Sequence, residues 1–534
     1  MQAVPAVRRL PLELLNEIFL ATKALYGPDT AELDPPPCTY LSHVCRTWRA
    51  AALMCQQLWS SVLRPHMEWT KLCLERCHHL PVEIIISRRT AFLPQHPAYP
   101  AILLAYLRAR VIIIDFRGQP TSSYAPAFLA VSIGLLSPQH CPLPMLEELQ
   151  IHLSADDVHS RFILNRGIIG REIATRRLKR IAISCCELNS PLHSLSSSLE
   201  TLILENVMPW GSCAELARTL GALTSLTWFE YKWTRNHLQE SILYAEALVT
   251  TPSVRLHKIK HFYLSGFLPE DVCIFSSLEL PPTAEIIVTP KSSHTFALDG
   301  CTLEDLAPDN LLTYFAGDMA SALARHVDNA FRNGMYIKEA GVHRHGVQLV
   351  LDHRKRRAGD NDLDPDAAPR PPSEAVPSGG RSSITITVPS FNTVERRDII
   401  FKELVSLGVT RYDIRALTFS GHSLSVLDVY ANLKRRVFTL QELTLRSQAD
   451  VLAFLTGFAL QFRFPALRAL NILCDLRNPA VTLQDIYEAM RAKDEGVWGR
   501  VRLEWMPAMG ERDLSIFSNE LRWLLVHTDN LGLE

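Results

Sequence analysis

The first 63 residues place apolar side chains three or four positions apart, the spacing of one face of an α-helix. In the stretch "RRLPLELLNEIFLATKALYG" the apolar positions are Leu10, Leu14, Leu15, Ile18 and Phe19. Pro11 suits the first turn of a helix, and Gly27 followed by Pro28 is typical of a helix end. The pattern therefore predicts an amphipathic helix over this stretch.

After the proline-rich segment "PDTAELDPPPC", the helical pattern returns in "CTYLSHVCRTWRAAALMCQQLWSSV". A second helix is predicted to begin near Thr39, and "QQLWSSV" adds a short third element. The apolar face of the second helix consists of Leu41, Val44, Cys45, Trp48 and Ala52. Three short helices of this kind carry more apolar surface than a unit of roughly 55 residues can bury on itself. We therefore expect an exposed apolar face.

Further along the chain a six-residue pattern, apolar-x-x-apolar-x-apolar, predicts short strands. Its copies begin at Val111, Leu146, Leu178, Leu199, Leu226, Ile259, Ile414, Leu440 and Leu467. Successive copies are 21 to 35 residues apart in the first six and 26 or 27 residues apart in the last three. We call each copy a hexad.

Helix-like stretches lie between the hexads. In "CAELARTLGAL" the apolar face is Leu216, Leu220 and Leu223, and in "VLAFLTGFALQF" it is Leu452, Leu455 and Ala459. A strand followed by a returning helix, repeated along a chain, builds a solenoid in which each unit covers its neighbour. A non-repeating α/β domain with parallel strands is the alternative.

The repeat lapses between Glu285 and Thr410, where "EIIVTP", "GVQLVLDHR" and "SSITITVPS" predict unevenly spaced strands. The last two are predicted to form a hairpin joined by residues 355–381, a disordered loop rich in Pro, Asp, Gly and Ser. Near the end, "LSIFSNELRWLLVHTDNL" predicts a helix that caps the solenoid. Its apolar positions are Leu514, Phe517, Leu521, Leu524 and Leu525.

Composition and charge narrow the class of protein. The 534 residues are 47% hydrophobic and carry a net charge of -1, so no overall field favours nucleic acid or acidic lipid. The N-terminus lacks the order of a secretory signal, and the longest apolar run is interrupted by Arg108 and Arg110. Twelve scattered cysteines fit reduced core thiols. These features predict a soluble protein of the cytoplasm or nucleus that binds neither nucleic acid nor membrane.

Several clusters of reactive side chains are candidates for metal, redox or targeting sites. Cys73, Cys77, His78 and His79 are of zinc-ligand type but have no matching distal pair, and Cys73 and Cys77 share the apolar side of a helix. His343 with His345 fits a hairpin, and Cys185 with Cys186 fits packed thiols. The basic tetrad at 354–357 is compatible with nuclear import or with plain solvation. We expect no catalytic constellation, no metal and no cofactor.

The residues of the first stretch resemble a known family. "LPLELLNEIF", "LSHVCRTWRAAAL" and "LWSSV" resemble the F-box in composition and order over residues 8–63, although the loop from Thr22 to Cys38 is long and Gln57 replaces a common proline. The resemblance implies a three-helix module that docks on the Skp-family adaptor of cullin-based ubiquitin ligases. The positions that match the motif, divided between the module's own core and the adaptor contact, are Leu10, Pro11, Leu14, Ile18, Phe19, Leu41, Val44, Cys45, Trp48, Leu58 and Trp59.

The body, residues 64–534, resembles irregular leucine-rich repeats. Leucine-rich repeats usually carry an Asn or Cys at the third position after the hexad. In six copies that position holds Ser154, Cys186, Val207, His422, Gln448 and Asp475, so only Cys186 fits. The joint resemblance implies a non-enzymatic substrate receptor that links an unknown protein substrate to an adaptor and a cullin scaffold. The alternative is a non-catalytic repeat scaffold whose N-terminal helices cap its own solenoid.

Overall fold

The computed structural model describes residues 10–25, 37–61, 63, 66–87, 98–117, 143–153, 163–164, 177–188, 195–207, 210, 212–233, 254–290, 309–343, 346–353, 382–387, 404, 414–420, 440–447, 450–451, 454, 469–472 and 502–505. The chain divides into two compact units, Met1–Arg235 and Asn236–Glu534. Both units combine α-helices with a predominantly parallel β-sheet, so the fold is α/β, as the sequence predicts.

The first unit begins with short helices and continues into the sheet. Its helices are α1 (Leu12–Leu25), α2 (Pro37–Leu41), α3 (Arg46–Met54), α4 (Gln56–Trp59), α5 (Met67–Arg76), α6 (Tyr99–Ala105) and α7 (Cys213–Ala222). Its strands are β1 (Val82–Ser87), β2 (Ala109–Asp115), β3 (Glu148–His152), β4 (Ile163–Leu164), β5 (Arg180–Ser184), β6 (Glu187–Leu188), β7 (Thr201–Glu205) and β8 (Trp228–Lys232). A 3-10 turn, Tyr106–Arg108, joins α6 to β2.

The predicted second helix is divided into two helices, so the expectation of one continuous helix from Thr39 was wrong. The amides of Ser42 and His43 bond to the carbonyls of residues three positions earlier, which ends α2 in a tight turn. Cys45 then has an extended backbone, and its Sγ accepts a hydrogen bond from the backbone N–H of Trp48. Cys45 therefore serves as the N-cap of α3, because a side-chain acceptor there satisfies an N–H that has no partner within the helix.

The main sheet of the first unit has the strand order β1-β2-β3-β5-β7-β8, and each strand pairs in parallel with the next. The strands predicted from the hexads at Leu146, Leu178, Leu199 and Leu226 are confirmed as β3, β5, β7 and β8. All three apolar positions of each of these hexads are buried. Helix α7 is confirmed as well, and Leu216, Leu220 and Leu223 on its face are buried.

The first hexad begins within β2, and its apolar positions Val111, Ile114 and Phe116 are buried, as are Ala109 and Ile112. Strand β2 pairs Ile112 with Leu149 and Ile114 with Ile151, so this hexad is offset by two residues from the hexad of β3. The run "VIIID" is apolar at every position except the last, and such a run does not show which residues face the core.

The second unit contains two described helices and the remaining strands. The helices are α8 (Leu268–Ser276) and α9 (Asp309–Arg332). The strands are β9 (Val254–Arg255), β10 (His261–Ser265), β11 (Leu278–Glu279), β12 (Glu285–Val288), β13 (Met335–His343), β14 (Gly346–His353), β15 (Ser382–Thr387), β16 (Ala416–Ser420), β17 (Glu442–Leu445), β18 (Ala469–Ile472) and β19 (Arg502–Trp505). The hexads at Ile259, Ile414, Leu440 and Leu467 are confirmed as β10, β16, β17 and β18.

An antiparallel insertion interrupts the parallel order of this sheet, which runs β10-β12-β15-β14-β13-β16-β17-β18-β19. Strand β14 is antiparallel to both β13 and β15, whereas β12–β15 and β13–β16 are parallel. The predicted hairpin of β14 and β15 is therefore confirmed, and its connection, residues 355–381, lies outside the described residues. Strand β13 and the 24-residue helix α9 were not predicted.

Candidate functional site

Exposed apolar side chains concentrate in the helices at the start of the chain. Of the twelve large hydrophobic residues that are exposed in the described part of the chain, eight lie between Leu12 and Met54. They are Leu12, Leu14, Ile18, Leu25, Tyr40, Val44, Leu53 and Met54, and we call them the exposed apolar set. The predicted exposed apolar face is thus present in this region.

The eleven predicted site residues divide into three groups by burial. The exposed group consists of Pro11, Leu14, Ile18 and Val44. Partly buried are Leu10, Leu41, Cys45 and Trp48, and completely buried are Phe19, Leu58 and Trp59. Leu14, Ile18 and Val44 are 47%, 38% and 57% exposed. Only the exposed group is open to a partner protein without rearrangement of the helices.

The buried group forms the core of the helical region. The rings of Phe19 and Trp48 meet edge-on, with their centroids 5.2 Å apart. Trp59 donates a hydrogen bond of 2.8 Å from Nε1 to the carbonyl of Ala52, and the guanidinium of Arg76 lies 4.1 Å from the centre of its ring. Arg76 belongs to α5, beyond the motif. Trp59 therefore needs no partner protein for its burial.

Sequence reasoning missed Tyr40 and Met54, which are 59% and 66% exposed. Both stand outside the matched motif positions, and Tyr40 follows directly on the predicted start of the second helix. The exposure of Tyr40 and Met54 could have been predicted, because a large apolar residue that lies outside the buried face of a helix remains accessible.

Polar contacts join the helical region to the edge strand β1. The backbone N–H of Glu83 donates to the carbonyl of Ser60 at 2.9 Å. The Glu83 carboxylate also receives Lys23 from α1 at 3.5 Å and Arg110 from β2 at 2.7 Å. The helices thus occupy one edge of the first unit's sheet while the exposed apolar set remains open.

A second candidate surface is the outward face of the same sheet. Residues that alternate with the buried ones along parallel strands line up across the sheet. The strand register places Asp115, His152, Ser184, Glu205 and Lys232 side by side at the carboxyl ends of β2, β3, β5, β7 and β8. We call these five residues the outward row. Sequence analysis missed them, although His152, Ser184, Glu205 and Lys232 are each the polar residue that directly follows a hexad.

Charges along the outward row are locally paired. Burial alone would raise the pKa of Asp115, but two hydrogen bonds and the charge of Arg117 hold it below its usual value. Burial lowers the pKa of His152, and the charge of Arg117 adds to this effect, whereas Asp115 and Glu205 oppose it. Lys232 forms an ion pair with Glu230 on the same strand.

The cysteine and histidine clusters show mixed outcomes. Cys73 and Cys77 are buried while His78 and His79 are exposed, and Arg108 Nη2 lies 3.3 Å from Cys77 Sγ. Cys185 and Cys186 are buried free thiols. Cys273 is disulfide-bonded, which departs from the expectation of reduced thiols throughout. Across the described residues, no group of three or more His, Cys, Asp and Glu side chains is arranged to hold a metal ion.

Other predicted features fall outside the described residues. They are His345, the basic tetrad at 354–357, the helix positions Leu452, Leu455 and Ala459, and the C-terminal helix with Leu514, Phe517, Leu521, Leu524 and Leu525. Within the part of the chain that is described, no helix combines the length and the apolar character needed to cross a membrane. No protein-family model matches the chain, and no curated protein matches it at a significant level.

Proposed function

We propose that this chain is a substrate-recognition subunit that links a target protein to a cullin-based ubiquitin ligase through a Skp-family adaptor. The observation that carries the proposal is the exposed apolar set, which includes Leu14, Ile18 and Val44 of the F-box-like motif. A concentration of exposed apolar side chains in one region of a protein is typical of a site of association with another protein.

The burial of the motif residues supports a division of roles. Phe19, Leu58 and Trp59 belong to the core of the helical region, so the adaptor contact falls to Leu14, Ile18 and Val44. Large side chains at the centre of an interface carry most of its binding energy. Tyr40 and Met54 extend the proposed contact beyond the motif.

For the body we propose an irregular leucine-rich-repeat solenoid whose outward sheet face holds the substrate. The repeated burial of the hexad positions in β3, β5, β7 and β8, with parallel pairing of consecutive strands, supports this proposal. The outward row supplies the polar side chains of Asp115, His152, Glu205 and Lys232 at regular spacing, which suits recognition of a protein segment by hydrogen bonds.

Adaptor capture by single charged variants tests the proposal. Ile18→Asp and Val44→Asp place a carboxylate on exposed motif positions, and we expect each to reduce co-purification of adaptor and cullin at least thirtyfold, because a loss of roughly 2 kcal/mol is typical at such anchors. Leu104→Asp is the matched control, since Leu104 on α6 is 75% exposed but lies outside the motif. Circular dichroism verifies that all three variants remain folded.

The bonds between Ser60 and Glu83 and between Lys23 and Glu83 favour a second candidate, a repeat scaffold whose N-terminal helices cap its own sheet. The two functions are compatible in structure, because the cap contacts and the exposed apolar set use different residues. Wild-type adaptor capture by Ile18→Asp and Val44→Asp, or no capture by the intact chain, would leave the scaffold as the better function.

A further inference from the structure

A chain of four side-chain hydrogen bonds crosses strands β3, β5 and β7 on the outward face. Gln150 Nε2 donates to Glu148 Oε1 at 2.6 Å, and Gln150 Oε1 lies 3.1 Å from His152 Nε2. His152 Nδ1 lies 2.9 Å from Ser184 Oγ, and Ser184 Oγ lies 3.2 Å from Glu205 Oε2. Both imidazole nitrogens of His152 are therefore engaged.

The orientation of Gln150 determines which nitrogen of His152 carries a proton. Glu148 Oε1 is paired with Arg180 Nε at 3.1 Å, so only the amide nitrogen of Gln150, which is a donor, can face that oxygen at 2.6 Å. The amide oxygen of Gln150 must then face His152, and an amide oxygen only accepts. His152 therefore carries its proton on Nε2 whenever it is neutral.

In that neutral tautomer Nδ1 is an acceptor, and Ser184 has two acceptors for one hydroxyl proton. The hydroxyl proton serves one acceptor at a time, so a bond to His152, at the shorter distance of 2.9 Å, leaves the Glu205 oxygen at 3.2 Å without one. A protonated His152 donates from both nitrogens instead, so Ser184 accepts from His152 and passes its own proton to Glu205. Every bond of the chain is then made.

We propose that protonation of His152 switches the Ser184 hydroxyl from His152 to Glu205. Glu205 Oε2 then lacks the Ser184 hydrogen bond while His152 is neutral and receives it while His152 is cationic. The proton that His152 gains comes from solvent. The charged groups around His152 are Asp115 and Arg117 from β2 and the turn after it, Arg180 from β5, Glu205 from β7 and Glu148 on its own strand. Ser184 is buried, which holds its hydroxyl between the two acceptors.

The switch goes beyond adaptor binding and does not depend on it. Its consequence for a bound partner falls on Glu205, which gains the Ser184 hydrogen bond when His152 is charged. A bound protein that donates a hydrogen bond to Glu205 competes with Ser184 only when His152 is charged. Acidification therefore weakens such a contact on this face.

The tautomer of His152 gives the first test. In the full chain labelled with nitrogen-15 histidine, nitrogen chemical shifts distinguish Nε2–H from Nδ1–H, and His152→Gln identifies the signal among the 19 histidines. We expect the Nε2–H tautomer at neutral pH and two protonated nitrogens at low pH. An Nδ1–H tautomer at neutral pH would overturn the proposal.

The variant Ser184→Ala gives the second test. It removes two hydrogen bonds from the cationic state and one from the neutral state, so we expect the proton affinity of His152 to fall about fivefold, the equivalent of one hydrogen bond. His261 is the internal control, because its Nδ1 lies 2.8 Å from Glu285 directly, without an intervening hydroxyl. An unchanged proton affinity of His152 in the Ser184→Ala chain, with His261 also unchanged, would refute the switch.

Discussion

The ring of Phe19 is completely buried against the edge of Trp48, whereas Ile18, the residue before it, is 38% exposed. Adjacent residues on a helix point about 100° apart, so one helix can supply both a core residue and a surface residue from a single sequence pair. The Ile-Phe pair of α1 therefore has two separate roles. Phe19 stabilises the helical region, and Ile18 is available to a partner.

We predict that Phe19→Ala lowers the free energy of unfolding by about 3 to 5 kcal/mol, the usual cost of removing a buried aromatic side chain. Ile18→Ala should change it by less than about 1 kcal/mol, since most surface substitutions have small effects. Urea denaturation followed by circular dichroism measures both values. Equal losses in the two variants would contradict the assignment, and a joint replacement of both residues cannot separate docking from folding.

We predict that Leu202→Asp destabilises the first unit strongly. Leu202 is completely buried in β7, paired between Ile181 on β5 and Phe229 on β8, and an unpaired buried carboxylate is costly. Ile203→Asp is the matched control, because Ile203 is the next residue and faces outward. Thermal unfolding should show a much larger decrease for Leu202→Asp, and similar decreases would place the wrong residue in the core.

The strands could be predicted because buried and outward-facing residues alternate along them, and the described apolar positions of the hexads are the buried ones. The pattern left the register open where apolar character does not vary with position, as in β2. Helix α9 was not predicted, although its buried residues Phe315, Met319, Leu323 and Val327 recur every four positions, the spacing of one helix face. The signal for this helix was therefore present in the sequence.

The candidate surfaces were predictable only in part. Helical spacing identified Leu14 and Ile18 but could not separate them from Phe19, because all three lie on one broad apolar stripe. The break of the second helix at Cys45 depends on a single backbone conformation and one bond to its Sγ. The chain from Gln150 to Glu205 depends on the register of three strands that lie far apart in sequence, and no local pattern encodes that register.

We predict that Gly346→Ala disrupts the pairing of β14 with β15. Gly346 has φ of +155°, which side chains other than hydrogen rarely allow, and a Cβ there would lie 2.0 Å from the carbonyl oxygen of Ile386. Gly317→Ala is the matched control, because Gly317 lies within α9 and a Cβ there meets nothing within 4 Å. Thermal unfolding should show a loss for Gly346→Ala and a gain of up to about 1 kcal/mol for Gly317→Ala.

The last prediction concerns the pH dependence of stability in the second unit. His326 on α9 is buried against Phe275 of α8, with 4.8 Å between the ring centroids. Burial, assisted by the charge of Arg325, lowers its pKa from 6.5 to about 4. The unfolded chain therefore takes up a proton at a pH where the folded chain does not. The stability that the neutral ring contributes is complete above pH 6.5 and is lost as the pH falls from 6.5 to about 4.

A pKa shift of this size corresponds to a change of about 3 kcal/mol in the free energy of unfolding between pH 6.5 and about pH 4. The variant His326→Phe keeps a ring against Phe275 but cannot take up a proton, so its unfolding free energy should lack this component of the pH dependence. Urea denaturation of both chains at intervals between pH 7 and pH 4 measures the difference. Parallel curves for the wild-type and His326→Phe chains would show that His326 is not the titrating group, because all other ionisable residues are common to both.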